Sequence, residues 1–280
     1  MQHQGHAKAL GLATTRFTKG ETPFHFFATR LMVEKISLSN KTSNNAFAFP
    51  LYTRGDDSGE QALLVESGGL QPNLSVSFLR LLSSTLGLSQ KGAHGLPAGL
   101  TPEDIFHYAY AVFHSPGYRS RYAEFLKIDF PRLPLTATLP LFHALARLGG
   151  ELTGLHLLES PKLDKPVTEF IGGRSPVMEK VSWSNNTVWI DKDQTIGFKG
   201  VREEVWNFHI GGYQVCEKWL KDRGPKAGKP GRTLTKDDLA HYQKIVVALS
   251  ETIRLMAEID EVIEKHGGWP GAFADKNSPK

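Results

Sequence analysis

The side chains of this chain that are equipped for chemistry are cations, amides and hydroxyls, and they concentrate in two polar stretches. Lysine and arginine neutralise phosphates, while asparagine and serine offer hydrogen-bond donors and acceptors to base edges. We therefore predict a nucleic-acid-binding surface. Its candidate residues are Lys35, Asn40, Lys41, Asn44 and Asn45 in the first stretch, and Arg174, Lys180, Asn185, Asn186, Lys192, Lys199 and Arg202 in the second.

Each stretch also has a purely structural interpretation. Serine and asparagine are common turn formers, so KISLSNKTSNN (35–45) has the composition of an ordinary polar loop as well. Asn185 and Asn186 could form a hairpin turn, and Trp183 and Trp189 could belong to the core. Composition does not separate the two interpretations.

No catalytic constellation is visible in the sequence. Methylation of a base needs a Gly-rich loop for the methyl donor and an Asn/Asp-Pro-Pro-aromatic loop for the flipped base, and the chain has neither. The stretch GPKAGKP (224–230) is one residue short of a phosphate-binding loop, so we assign it to a flexible basic loop. We predict no catalytic residue and no cofactor in this chain.

Metal coordination is not indicated either. The 11 histidines include no pair spaced i, i+4 around an acid, and the one cysteine, Cys216, cannot form a multi-cysteine zinc site. His107 and His114 could share a helix face, but no neighbouring residue completes a ligand set. We interpret both as packing or surface histidines and predict no metal site.

Length and composition set the broad class. A chain of 280 residues with 40% hydrophobic content can bury a core as one large or two small domains. Its net charge of +4 permits an anionic partner without requiring one. Because the sequence has a single cysteine, no long apolar run and no signal peptide, we expect a cytoplasmic protein without a membrane partner.

Helix start signals locate the helices of the first half. Asn73 is expected to cap a helix that Gly87 ends. Thr101, followed by proline and two acids, predicts a helix to about residue 113, and Ser115 with Pro116 predicts a second one.

Two further helical regions follow. A helical pair is expected from residue 138, broken at Gly149 and Gly150. Thr235 and Asp238, in capping-box spacing, predict a long final helix. Its apolar seam consists of Tyr242, Ile245, Leu249, Thr252, Met256, Ile259 and Ile263.

Alternating apolar and polar residues over 169–210 predict a small antiparallel meander, with turns at Ser184–Asn185 and Asp191–Lys192. We therefore expect the α+β class, with antiparallel β meanders braced by helices that include a long C-terminal one. The expected organisation is a loose edge at 1–23, one module at 24–266 and a loose tail at 267–280. Within the module, 24–70 and 165–212 are strand-rich, and 73–160 and 214–266 are helical.

Four blocks of the sequence resemble the C-terminal region of Type ISP restriction-modification enzymes, in the order that the family has. They are SNKTSNNAFAFPLY (39–52), PEDIFHYAYAVFHSPGYRSRYAEFLKIDFPRLPL (102–135), VWNFHIGGYQVCEKWLKDR (205–223) and LTKDDLAHYQKIVVALSETIRLMAEID (234–260). Enzymes of this family join a nuclease, a helicase-like motor, an N6-adenine methyltransferase and a target-recognition domain in one chain.

The resemblance implies sequence-specific recognition of double-stranded DNA, as the specificity part of a restriction-modification adenine methyltransferase and without a catalytic site in these residues. S-adenosylmethionine, ATP and Mg are expected only in domains that these 280 residues do not include. Double-stranded DNA and a methyltransferase domain or subunit are the expected partners. The alternative is a helical protein-binding or assembly subunit that docks on a catalytic partner without reading DNA.

Overall fold

A computed structural model describes residues 10–17, 26–34, 38, 45–54, 69–210 and 212–273. Its strands are β1 (Gly11–Thr15), β2 (Phe26–Thr29), β3 (Ala46–Pro50), β4 (Tyr52–Arg54), β5 (Leu70–Pro72), β6 (Glu169–Ile171), β7 (Ser182–Ser184), β8 (Thr187–Trp189), β9 (Gly197–Lys199), β10 (His209–Ile210) and β11 (Tyr213–Gln214). Its helices are α1 (Val76–Leu86), α2 (Pro102–His114), α3 (Pro116–Arg121), α4 (Ala123–Leu126), α5 (Leu139–His156), α6 (Glu203–Trp206), α7 (Val215–Lys221), α8 (Lys236–Lys265) and α9 (Gly268–Gly271).

The chain divides into two compact units. Unit 1 comprises residues 1–153 and 256–280, and unit 2 comprises residues 154–255. Helices and antiparallel sheets occur together, and α8 is a long C-terminal helix, so the predicted α+β class is confirmed.

The sheet of unit 1 has the order β2-β1-β3, with both outer strands antiparallel to β1. Leu12 of β1 is paired with Ala28 on one side and Phe49 on the other. This central strand lies in the segment 1–23 that we expected to be a loose edge, and that part of the expectation is wrong. The small residues of GLATT gave no alternating pattern, yet four of its five residues are buried between two partner strands.

Ser75, and not Asn73, caps helix α1. The Ser75 hydroxyl accepts the backbone N–H of Phe78 at 3.2 Å, while the Asn73 amide donates to the carbonyl of Pro50 at 2.9 Å. The predicted end is confirmed, because Gly87 adopts a left-handed φ of 66° at the C-cap.

Helix α2 begins as predicted. The Thr101 hydroxyl accepts the N–H of Asp104 at 3.1 Å, and the Asp104 carboxylate accepts the N–H of Thr101 at 2.9 Å, which completes a capping box. The helix buries its aromatic side chains, and Tyr108 stacks on Phe142 of α5 with ring centroids 4.7 Å apart. These contacts form the helical core of unit 1.

Helix α5 runs without a break through Gly149 and Gly150, so the predicted interruption is wrong. A Cβ atom on Gly149 would lie 1.8 Å from the carbonyl oxygen of His107 in α2. The glycine is required by this close approach of two helix backbones rather than by a bend.

The four-stranded sheet of unit 2 has the order β6-β9-β8-β7, and all of its pairs are antiparallel. The predicted meander is therefore confirmed as β7-β8-β9, with β6 added at the β9 edge. Phe198 and Val188 point from one face into a core that includes Tyr242 of α8. The seven seam residues of α8 are all buried or partly buried, which confirms the predicted apolar face.

Candidate nucleic-acid interface

Most of the first predicted stretch lies outside the described residues. This holds for Lys35, Asn40, Lys41 and Asn44. Asn45 is described, and it is exposed immediately before β3. The contribution of this stretch therefore stays a prediction, and the site geometry comes from the second stretch, in unit 2.

Asn185 and Asn186 form the two-residue turn between β7 and β8, one residue later than the predicted turn pair. Their φ angles are 50° and 55°, as a type I′ turn requires, and asparagine tolerates this left-handed conformation better than most residues. Both side chains are exposed. The pair thus has a structural role through its backbone, while both amides face solvent.

The asparagine turn is fixed to the segment that follows β9. The Asn186 carbonyl accepts the backbone N–H groups of Gly200 and Val201, each at 2.8 Å. Lys199 precedes this segment and Arg202 follows it, and both are exposed. Four predicted residues thus lie at one end of the sheet, which we call the asparagine end (Asn185, Asn186, Lys199 and Arg202).

Acidic side chains offset the cations of the asparagine end. Lys199 is the cross-strand neighbour of Glu169 in β6. Arg202 forms an ion pair with Glu204 at 2.8 Å, in which both side chains are more than half exposed. This end of the sheet therefore presents amides with little excess positive charge.

The opposite end of the sheet carries three predicted cations beside the acids Glu179, Asp191 and Asp193, and we call it the lysine end (Arg174, Lys180 and Lys192). The backbone N–H groups of Glu179 and Lys180 both donate to the carbonyl of Ile190, at 2.9 and 3.2 Å. This places Lys180 beside the loop that carries Lys192, and both side chains are exposed.

Arg174 reaches the lysine end by a different route. Strand β6 runs antiparallel to β9, with Ile171 paired with Gly197, so the chain leaves β6 at the end where β9 begins. Arg174 follows three residues later and is exposed.

Asp191 holds the loop that presents Lys192. Its carboxylate accepts the Thr195 N–H at 3.0 Å, the Thr195 hydroxyl at 2.7 Å and the Ile196 N–H at 3.1 Å. Burial alone would raise the pKa of this carboxyl, but the hydrogen bonds outweigh it and hold the pKa below the ordinary value. The loop therefore has a fixed form around an ionised side chain.

The two tryptophans of the meander are structural residues. Trp183 packs against the core of unit 2 and donates from Nε1 to the Val201 carbonyl at 2.9 Å. Trp189 donates from Nε1 to the Ser184 hydroxyl at 2.9 Å. Both rings thus have a structural role that does not require a base to stack on them.

A basic loop outside the predicted set joins the lysine end. The N–H of Met178 donates to the Arg232 carbonyl at 3.0 Å, and the N–H of Leu234 donates to the Pro176 carbonyl at 2.8 Å. These bonds attach the end of the 222–235 loop to the segment that leads into Lys180. The loop carries the exposed lysines Lys226 and Lys229. Gly228, which lies between them, is the sequence signal that could have predicted an ordered turn here.

His107 and His114 are packing residues. The His114 ring is buried, with Nδ1 2.7 Å from the Tyr110 carbonyl oxygen. His107 is partly buried beside Gly150, and burial lowers its pKa. Within the described ranges, no group of three or more His, Cys, Asp or Glu side chains is arranged to hold a metal ion. No helix in the same ranges is both long and apolar enough to cross a membrane.

Three DNA-bound solved structures are similar to this chain. They are a nuclease-deletion mutant of the Type ISP restriction-modification enzyme LlaGI in complex with a DNA substrate mimic (18% identity, TM-score 0.60, 90% of this chain and 21% of that chain), the ATP-dependent Type ISP restriction-modification enzyme LlaBIII bound to DNA (18%, 0.60, 91% and 16%), and a cryoEM structure of a DrdV-DNA complex (19%, 0.59, 93% and 25%). At these identities the likeness shows a shared fold, and this chain spans a quarter or less of each neighbour's length.

No curated protein sequence matches the chain significantly. The family described as Type ISP C-terminal specificity domain matches residues 1–258, which is most of the sequence. The chain therefore belongs to the family of Type ISP C-terminal specificity domains.

Proposed function

We propose that this chain recognises a specific sequence of double-stranded DNA, as the specificity part of a Type ISP restriction-modification system. The observation that carries the proposal is the specificity-domain match over residues 1–258. The DNA in the structures of the LlaGI mutant, LlaBIII and DrdV supports DNA as the ligand. The exposed amides and cations of unit 2 supply suitable chemistry.

The two ends of the unit 2 sheet suit different parts of this task. The amides of Asn185 and Asn186 stand on a fixed turn with little excess charge, and an asparagine amide can bond in a bidentate manner to adenine in the major groove. Arg174, Lys180 and Lys192 are exposed cations that suit phosphates. We assign base reading to the asparagine end and phosphate anchoring to the lysine end.

The proposal includes an adenine methyltransferase domain or subunit as the partner that carries the chemistry. S-adenosylmethionine, ATP and Mg then belong to such domains, and this chain contributes no catalytic group. The exposed Asn45 and the neighbouring Lys35, Asn40, Lys41 and Asn44 remain candidates for a second set of DNA contacts.

Binding to a pool of randomised duplex DNA tests the proposal. The purified chain is titrated by fluorescence anisotropy at low and moderate salt, and the bound DNA is sequenced. We expect binding that weakens steeply with salt and enriches one asymmetric motif. Absence of binding at low salt would contradict the proposal and favour the alternative, an assembly subunit that binds only protein.

A variant of the turn tests the assignment of the base reader. Asn186→Gly removes the amide and keeps a residue that accepts a positive φ, so the turn is retained. We expect a changed or relaxed preference at one position of the motif, with an unchanged salt dependence. Lys165→Gln, at an exposed position before β6, serves as the control and should leave the motif as it is.

A further inference from the structure

The loop between α7 and α8 is an ordered hairpin, although the sequence predicted a flexible basic segment. Lys226 and Lys229 form an antiparallel bridge, in which each N–H donates to the carbonyl of the other, at 3.2 and 2.8 Å. Gly228 supplies the left-handed φ of 74° that the tip needs. At the base of the loop, the Arg232 N–H donates to the Arg223 carbonyl at 2.8 Å. The tip is therefore presented in a defined conformation.

The arginines of this loop are engaged in structural contacts. Arg223 lies over the Trp219 ring, with its guanidinium carbon 3.4 Å from the ring centroid, and donates to the Trp219 carbonyl at 2.9 Å. Arg232 forms an ion pair with Asp238 at 2.9 Å. Asp238 also anchors the first turn of α8 through Thr235. These cations hold the base of the loop.

The lysines at the tip differ from the other cations around them. Lys218 pairs with Asp222 and Lys221 pairs with Glu217, each one helical turn away. Lys226 and Lys229 are exposed, and the described residues include no acidic partner for either. Two charges of the same sign at one tip are thus left for an external anion.

The bridge also places the Lys226 and Lys229 side chains on the same face of the hairpin. Directly opposed residues of a hydrogen-bonded antiparallel pair have Cα atoms about 5.5 Å apart and side chains on one face. Like charges at such positions destabilise a hairpin. A bound polyanion would remove this repulsion, which makes the tip suited to a row of phosphates.

The loop is joined to the lysine end of the sheet. Residues 232–234 pair with residues 176–178, through the Val177–Thr233 bridge and the bonds of Met178 and Leu234. The next residues lead directly to Lys180 of the lysine end. The hairpin tip thus extends a surface whose cations we assign to phosphates.

We infer that the Lys226–Lys229 hairpin grips the phosphate backbone of duplex DNA and supplies binding free energy that does not depend on sequence. The inference rests on the proposed function, because it assigns one part of the same DNA contact. It separates anchoring by the hairpin from base reading by the asparagine turn. Its experimental signature is that loss of the hairpin charges lowers the salt dependence of binding without changing the recognised motif.

Neutral variants of the hairpin test the inference. Lys226→Gln, Lys229→Gln and the double variant are titrated as full chains against the enriched duplex and a scrambled duplex, from about 50 mM to about 200 mM salt. We expect each replacement to lower the slope of log K against log salt by about 0.9. Both duplexes should lose affinity by the same factor, so that the motif is unchanged.

A charge-retaining replacement and the replacement of an exposed lysine outside the hairpin are the controls. The Lys226→Arg, Lys229→Arg double variant should keep the wild-type slope, and so should Lys165→Gln. Circular dichroism melting of every variant confirms that the exposed changes leave the fold intact.

The outcomes distinguish the inference from the proposed function. A wild-type chain that enriches a motif, together with a Gln double variant of unchanged slope, would overturn the inference and leave DNA recognition standing. A variant that alters the motif would also overturn it, because the lysines would then read bases. A wild-type chain without salt-sensitive binding would overturn both.

Discussion

Gly149 of α5 faces the backbone of His107 in α2, and a Cβ atom at position 149 would lie 1.8 Å from the His107 carbonyl oxygen and 3.1 Å from the backbone nitrogen of Ala111. Helices α2 and α5 of unit 1 are thus in direct backbone contact at this point. No rotamer change could relieve a clash with main-chain atoms.

Gly149→Ala should therefore destabilise unit 1, although alanine is the better helix former. Overpacking of this kind costs roughly 1–3 kcal/mol in the free energy of unfolding. Gly154→Ala, in the same helix, is the matched control: its Cβ would meet nothing closer than 3.8 Å, and alanine there should add about 0.4–1 kcal/mol. Urea denaturation of both variants measures the difference. Equal shifts in the same direction would show that Gly149 is not a packing glycine.

Asp238 connects the basic loop to helix α8. Its carboxylate accepts the Thr235 N–H at 3.0 Å, the Thr235 hydroxyl at 2.9 Å and the Arg232 guanidinium at 2.9 Å. Asp238→Asn removes the ion pair and weakens the cap, and should cost roughly 1–2 kcal/mol at neutral pH. Asp237→Asn, on the exposed first turn, should cost much less. Thermal unfolding compares them, and similar losses would argue against a specific role for Asp238.

The pKa of Asp238 gives the same residue a pH signature. Burial would raise the pKa, but the bonds from Thr235 and the charges of Arg232 and Arg223 lower it below the ordinary 3.8. A carboxyl with a depressed pKa in the folded state adds stability above its unfolded pKa, and this stability is lost as the pH falls through the folded value. The wild type should therefore lose more stability than Asp238→Asn on acidification below about pH 4. Parallel pH profiles would contradict this expectation.

His156 should make unit 2 sensitive to mild acid. Its Nε2 lies 2.9 Å from the Thr252 hydroxyl, which itself donates to the Ala248 carbonyl, so the imidazole acts as the donor. Burial lowers its pKa from 6.5 to about 4. Between these values the unfolded chain binds the proton and the folded chain does not, so the free energy of unfolding should fall as the pH is lowered from about 6.5 to about 4.

Replacement of this histidine checks the assignment. His156→Gln should flatten the pH profile of the unfolding midpoint in that window. His143→Gln, at an exposed position of α5, should leave the profile unchanged. The assignment would be wrong if the wild type and His156→Gln lost stability in parallel.

Asn185 tests the backbone role of the turn apart from DNA. With a φ of 50°, an alanine there pays the left-handed penalty of about 1–2 kcal/mol, whereas glycine does not. Asn185→Ala should therefore lower the melting temperature, and Asn185→Gly should leave it nearly unchanged. If both variants melted like the wild type, backbone strain would not govern the turn.

Local signals in the sequence identified most elements correctly. The capping residues Thr101 and Thr235 each bond to an acid three positions later, so the start of each helix is encoded within one turn. Errors arose where tertiary contacts decide. Gly149 resembles a helix breaker until the carbonyl of His107 is known to lie against it, and strand β1 requires partners far along the chain.

The same contrast between local sequence signals and tertiary contacts applies to the candidate site. Composition named the cations and amides of the second stretch as candidates, because a Lys, Arg or Asn is chosen as a candidate by its residue type alone. It could not show that Asn186 and Lys180 lie at opposite ends of one sheet, since that follows from strand pairing. Nor could it separate the engaged Arg223 and Arg232 from the exposed Lys226, because Trp219 and Asp238 make that distinction.

The turn at Asn185 and Asn186 restricts how the sequence of this sheet tip can diversify. Both positions need a positive φ, which favours asparagine, aspartate and glycine and disfavours β-branched or bulky side chains. If this tip reads DNA, only these few residue types are available to it. Engineering of a new specificity should therefore keep asparagine, aspartate or glycine at the two tip positions. It should vary the neighbouring Lys199 and Arg202, whose backbones do not need a positive φ.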